Sequence, residues 1–274
     1  MALASLANPS RFLAFANRTL PWLGGAAVLA FAFAINQVLA APDDYQQGAT
    51  VKIMFLHVPA AWLGMLGWGL MAMAGLGTLV WRHPLADVAG KTAAPIGAAF
   101  TLICLVTGSL WGRPMWGTYW VWDGRLTSML VLLLMYLGVI TLWRAIEDPG
   151  RAARLAAILT LVGTVNLPII KFSVECWNTL HQPASFLRFS PQANSLFCSI
   201  LGMSKPSMAE VSAAIENPIL QGGPAVSAAF LLPLGLMTVA FTLLFAALLI
   251  AAMRNEILRR RARTLRLMQA SAAA

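Results

Sequence analysis

Leu126-Thr127-Ser128-Met129-Leu130-Val131-Leu132-Leu133-Leu134-Met135-Tyr136-Leu137-Gly138-Val139-Ile140-Thr141-Leu142-Trp143 is an unbroken run without a charged side chain. At a helical rise of about 1.5 Å per residue it reaches about 27 Å, close to the hydrocarbon thickness of a bilayer. Charged residues wait at both ends: Asp123 and Arg125 before it, Arg144 after it. Five further stretches read the same way, near 20–41, 59–81, 95–112, 154–170 and 226–252. The composition agrees, with 59% hydrophobic and 11% charged residues, where soluble domains carry roughly a quarter charged. The expected fold is all-α: a polytopic membrane helix bundle of about six transmembrane helices. No 20–50-residue repeat is present, which excludes a solenoid.

Orientation follows from counting charges on alternate sides of the spans. The N-terminus, 82–94, 144–154 and the tail hold 13 Lys/Arg and 4 Asp/Glu; the segments 42–58, 113–125 and 171–225 hold 6 of each. The positive-inside rule places the first set in the cytoplasm, with both termini in. The net charge of +9 owes much to Arg254, Arg259, Arg260, Arg261, Arg263 and Arg266 just past the last span. That placement suits orientation and anionic membrane lipid, and argues against nucleic acid. The expected organisation is a six-helix domain over 1–258 and a basic cytoplasmic tail over 259–274. An outer loop lies at 113–127, and a longer one of about 55 residues at 171–225. Residues 1–41 carry features of a signal peptide, but the apolar stretch exceeds most signal cores and is expected to be a retained helix.

Three histidines divide by side. His83 falls in a cytoplasmic loop. His57, just ahead of Pro59, is expected at the outer mouth of the second span, with Pro59 in the first helical turn. His181 follows the fifth span on the same outer side. A single interfacial histidine is ordinarily only a solvated polar residue. Between the two in sequence, however, stands Trp116-Gly117-Thr118-Tyr119-Trp120-Val121-Trp122-Asp123. An interfacial aromatic belt would spread tryptophan over all helix ends. Concentration in one glycine-bearing loop suits a platform for a flat apolar ligand. Haem needs such a bed, neutral imidazoles for its iron and cations near its propionates. His57 and His181 are the candidate ligands; Trp116, Tyr119, Trp120, Trp122 and Asp123 the platform. Arg125 and Lys52, or Arg113, are the candidate propionate contacts. Asp123 also suits a cap of the fourth span.

Pro114-Met115-Trp116-Gly117-Thr118-Tyr119-Trp120-Val121-Trp122-Asp123-Gly124-Arg125-Leu126-Thr127 closely resembles the "WWD" signature of haem-handling proteins. With Leu56-His57-Val58-Pro59-Ala60-Ala61, Val165-Asn166-Leu167-Pro168-Ile169-Ile170 and Trp177-Asn178-Thr179-Leu180-His181-Gln182, the chain resembles the cytochrome c maturation protein C (haem exporter protein C) family over about residues 20–183. The resemblance implies a multi-pass protein of the bacterial inner membrane. It implies haem b held by His57 and His181 on the periplasmic side, for delivery to the haem chaperone cytochrome c maturation protein E. It also implies an ABC transporter complex as partner, formed by cytochrome c maturation proteins A and B with the small one-helix protein D of the same system. Tyr119, Gly124, Met129 and Cys176 depart from the family's usual Trp, Ala, Glu and Trp.

The chain has no complete Gly-x-x-x-x-Gly-Lys-Ser/Thr phosphate-cradling loop and no acid–base catalytic set, so any ATP-driven step belongs to a partner. Two other functions compete: a haem-translocating permease channel, and a membrane haem-b electron carrier. The carrier reading usually requires ligands inside helices. Cys176 and Cys198 face an oxidising compartment, but spacing alone does not decide whether they pair.

Overall fold

The computed structural model describes residues 7–177, 179–181, 197–200, 202 and 227–273. They form helices with no β-strand among them. The helices are α1 (Pro9–Ala40), α2 (Met54–Leu79), α3 (Ala86–Trp116), α4 (Gly124–Ala145), α5 (Pro149–Gly163), α6 (Asn166–Cys176) and α7 (Ala228–Ala273). A 3-10 turn, Ala49–Ile53, leads into α2. Grouped as continuous spans, they give the six segments long and apolar enough to cross a membrane.

Local chemistry sets the ends that hydropathy places poorly. The first helix starts at Pro9, well before residue 20, because Asn8 caps it through the Ser10 N–H and Pro9 suits a position with no intrahelical donor to lose. Asp148 and Pro149 start α5 in the same manner. The expected 113–127 loop shortens to 117–123: α3 continues to Trp116 and stops at Gly117, whose φ of +76° suits glycine. The fifth span divides at Thr164–Val165. Pro168 then lies in the first turn of α6, and Asn166 Nδ2 donates to Ser128 O of α4 at 2.9 Å. Helix α6 carries on to Cys176, past the expected boundary at 170. Most of the 171–225 stretch lies outside the described residues. Helix α7 runs on through the basic residues of the tail to Ala273, about 69 Å at helical rise.

Helices α2, α3, α4 and α5 form the core, around Trp68, Tyr136, Leu63 and Leu132, all sealed from solvent. Its polar atoms are paired: Tyr136 Oη donates to Gly64 O at 2.7 Å and Trp68 Nε1 to Thr160 O at 3.1 Å. Each such donor left unpaired in an apolar interior costs about 1–3 kcal/mol. Helix α7 lies along α1, with Phe31 edge-on to Phe241 at 5.0 Å, and reaches the core through Phe55–Phe230 and Phe100–Phe241.

The bundle has two chemically different ends. At one, the start of α1, the start of α3 and the last part of α7 meet. Arg260 pairs with Asp87 at 2.6 Å, Lys91 with Glu256 at 2.7 Å, and Arg261 donates to Ser10 Oγ at 2.7 Å. At the other end lie the start of α2, the end of α3, the start of α4 and the end of α6. That end holds both His57 and His181.

Candidate functional site

His57 is the fourth residue of α2, so it sits inside a helical span and not on a loop ahead of it. Pro59 accordingly falls beyond the first turn. The difference arises because the 3-10 turn and the first residues of α2 are already helical ahead of Pro59, the residue expected to open the span. The His57 ring turns onto α3, where Nδ1 lies 3.0 Å from Cys104 O and 3.1 Å from Thr107 Oγ1. A carbonyl oxygen only accepts, so the proton belongs on Nδ1 and the lone pair on Nε2. Thr107 donates to Ile103 O at 2.7 Å, leaving its oxygen free to accept as well. Gly108 makes room for the ring: a methyl there would stand 2.8 Å from His57 Cε1. Trp111 meets the ring edge-on at 5.8 Å, and Gln47 Oε1 holds the Trp111 indole N–H at 2.9 Å.

His181 is fixed by the same logic from a different element. Its Nδ1 lies 2.8 Å from Asp123 Oδ2, and its backbone N–H donates to Thr179 Oγ1 at 3.2 Å. Thr179 Oγ1 in turn donates to Asp123 Oδ2. The other carboxylate oxygen, Oδ1, accepts the Leu126 N–H at 2.7 Å and so caps α4. Asp123 is therefore the cap foreseen from sequence and also the acceptor beneath His181, buried and not part of an open aromatic surface.

Electrostatics keep this pair as carboxylate and neutral imidazole. Burial pushes His181 down; the hydrogen bond and charge of Asp123 push it up, and the Arg125 charge pushes it down again. The balance lies below the ordinary histidine value. For Asp123, burial works upward, but hydrogen bonds from Thr179, the Leu126 N–H and His181 outweigh it and hold the carboxyl below its usual range. Both Nε2 atoms thus carry lone pairs, each opposite an Nδ1 fixed by an acceptor. His57, His181 and Arg125 lie within electrostatic reach of one another.

The aromatic residues divide between two settings. Trp116, in the last turn of α3, meets His181 edge-on at 4.7 Å. Trp120 and Trp122 are 5.5 Å apart and nearly perpendicular, at 74°. Trp122 is 73% exposed and Tyr119 55%, with the Arg113 guanidinium 5.5 Å over the Tyr119 ring. The turn offers exposed aromatic surface beside His181, but its rings do not form a single flat layer.

The two proposed cations separate. Arg125, second residue of α4, donates to Lys171 O at 3.4 Å, and its charge acts on His181. Lys52 pairs with Asp43 at 3.6 Å within the segment leading to α2. Sequence reasoning missed Thr179, the Cys104–Gly108 bed of His57, and Lys171 beside Arg125. It also missed Trp177, whose ring lies so close to Gly124 that a methyl there would stand 2.5 Å from it. A glycine in mid-span, as at 108, was the available signal for a ring packed against a helix. The disulfide left open by spacing is formed: Cys176 and Cys198 are bonded, with Cα atoms 5.4 Å apart.

Among the described residues, six helices long and apolar enough to cross a membrane, with two imidazoles and a tryptophan-rich turn gathered at one end, are the make-up of a multi-pass membrane protein. The chain belongs to the heme exporter protein C family, whose family model, described as "Heme exporter protein C", matches residues 2–221. Heme exporter protein C of Bradyrhizobium diazoefficiens is 60% identical over 271 residues, covering 99% of this chain and 91% of that protein. The protein of the same description from Paracoccus denitrificans is 41% identical over 262 residues, 95% of each chain. That from Escherichia coli K12 is 51% identical over 189 residues, 69% of this chain and 77% of its own.

Proposed function

We propose that this chain binds haem b as cargo at its histidine end, on the periplasmic face of the bacterial inner membrane. From there it presents haem to the chaperone cytochrome c maturation protein E, beside the ABC transporter proteins A and B and the small protein D of the same system. The observation that supports this most is the matched tautomer of His57 and His181. Each Nδ1 faces an acceptor, which leaves Nε2 available to iron and makes the imidazole a better donor. Arg125 supplies positive charge for a propionate, and Trp116, Tyr119, Trp120 and Trp122 supply the apolar surface around a porphyrin. With the basic end in the cytoplasm, this site faces the periplasm.

The ligands sit on different elements, one on a rigid helix and one on a short segment after α6. Such a pair binds iron from two sides yet lets one ligand withdraw, as onward delivery requires.

The test is the optical spectrum of the detergent-purified protein beside His57→Ala and His181→Ala variants. A six-coordinate haem spectrum that either change weakens or converts supports the reading. Unchanged haem binding without both histidines sinks it. The position of His57 inside α2 favours a second reading, a membrane haem-b electron carrier, and rapid reduction of the bound haem by a quinol would select it. Haem movement by this chain reconstituted alone would select a permease channel instead.

A further inference from the structure

The segment that carries His181 is partly packed, with Trp177 against Gly124 and Trp116 edge-on to the His181 ring, and partly open. Trp177 is 42% exposed and Leu180 52%; Thr179 and His181 are fixed through Asp123. Its firm restraints lie on either side in sequence. Five residues before His181, Cys176 ends α6; seventeen residues after it, Cys198 is disulfide-bonded to Cys176. One turn back in α6, the buried Phe172 stacks on Phe197, with ring centroids 4.2 Å apart and planes within 18°. Cys198 is buried at 5% exposure, whereas Cys176 is partly open to solvent. The chain thus leaves α6, places His181 over Asp123, and is clamped back onto α6.

We infer that the Cys176–Cys198 disulfide positions His181, and that haem binding by this chain is therefore set by its thiol–disulfide state. The inference rests on the reading of His181 as a haem ligand. A covalent clamp limits the volume an anchored segment explores once its few hydrogen bonds open. Without it, His181 keeps its hydrogen bonds to Asp123 and Thr179 and its edge contact with Trp116, but the segment loses its covalent tether and swings away from iron more readily. His57, bedded on α3, is untouched by the change.

The reaction is ordinary exchange with a dithiol reductant. One thiolate of the reductant attacks the sulfur of Cys176, the less buried of the two residues, and displaces Cys198 as a thiolate, which takes up a proton. The second reductant thiolate then attacks the mixed disulfide and releases Cys176, likewise protonated. Two electrons pass to the chain, and the reductant leaves as its own disulfide. Reduction would loosen one of two iron ligands and favour release of the cargo.

The experiment compares three purified full-length samples in detergent: the parent, the parent treated with a dithiol, and the Cys176→Ala/Cys198→Ala double variant. Haem titration is expected to show affinity lower by on the order of tenfold in the second and third samples, the scale for losing a partner that orients a ligand. The spectrum is expected to move from six- towards five-coordinate. Dithiol added to the double variant should change nothing further, which separates disulfide opening from thiol binding to iron. Hydrogen exchange on the haem-free samples supplies a readout independent of haem. Amides of 179–181 should exchange faster once the disulfide is open, while those around His57 keep their rates. Equal affinity and spectrum in a six-coordinate parent and in both opened forms would overturn the inference. If the parent holds no histidine-ligated haem, the ligand reading and the haem-binding consequence fail together. Hydrogen exchange then still decides whether the disulfide positions His181, and unchanged exchange rejects that as well. Should the double variant misfold, the reduced parent gives both readouts.

Discussion

One oxygen of Asp123 accepts the Leu126 N–H at 2.7 Å, and the other lies 2.8 Å from His181 Nδ1. The start of a membrane-crossing helix and the orientation of a candidate iron ligand therefore share a single side chain. Substitution can separate the two roles. Asparagine still accepts at a helix N-cap, but it brings no charge to support the His181 N–H. Asp123→Asn is expected to keep the melting temperature near that of the parent and to weaken haem binding about 10–100-fold. Asp123→Ala should show the same weakening and also lose about 1 kcal/mol of stability with the cap. Haem titration and thermal unfolding of both variants test the separation; equal melting losses would show that the two roles are one.

Gly108 tests the other ligand. Alanine is the better helix former by about 1 kcal/mol, so Gly108→Ala should leave α3 intact. The added methyl would nevertheless stand 2.8 Å from His57 Cε1, and the ring must leave its place against Cys104 O. The expected result is a haem-free protein of undiminished melting temperature with the six-coordinate spectrum lost. Retention of that spectrum would show that the His57 bed is softer than the close contact implies.

The two arginine-or-lysine candidates for the propionates predict different outcomes. Lys52 is held by Asp43, an exposed pair of the kind that contributes little. Lys52→Gln should shift haem affinity by no more than about twofold. Arg125 lies half-buried with its charge acting on His181. Arg125→Gln should lower affinity roughly tenfold, the value of one charge-assisted hydrogen bond. Titration with haem and with its dimethyl ester, which lacks the propionate charges, checks the cause: the Arg125→Gln deficit should vanish with the ester.

The six spans were legible because each is an apolar run long enough to cross a bilayer, and that signal is carried by single residues in order. The helix ends were less so. Asn8 and Pro9 lie ahead of the apolar stretch they start, and α6 continues through Lys171 and Glu175 where hydropathy alone ends it. The two histidines and the tryptophan turn were legible as residue types at one end of the bundle. Their fixing was not. The sequence separations of 47 between His57 and Cys104, and of 58 between Asp123 and His181, close through helix packing and the clamp on α6. Lys52 and Arg125 look alike in sequence; Asp43 distinguishes them in space.

The charge states at the site predict how acid acts on the haem-free protein. His181 lies below its ordinary value in the folded chain, chiefly through burial. The unfolded chain therefore takes up that proton first, at about pH 6.5, and folded stability declines as pH falls below that point, levelling once the folded His181 is itself protonated. Asp123 also lies below its ordinary value, its hydrogen bonds outweighing burial. Its contribution is present above about pH 3.9 and is lost only as pH falls further, through its lower folded value. Between about pH 7.5 and 5, then, the His181 effect acts while the Asp123 effect does not. The melting temperature of the parent should fall over that window more steeply than that of His181→Ala. Parallel curves would mean that the folded chain does not disfavour the His181 proton. In that case protonation would cost the Asp123–His181 contact nothing, and iron would meet a proton already seated on the ligand at mildly acidic pH.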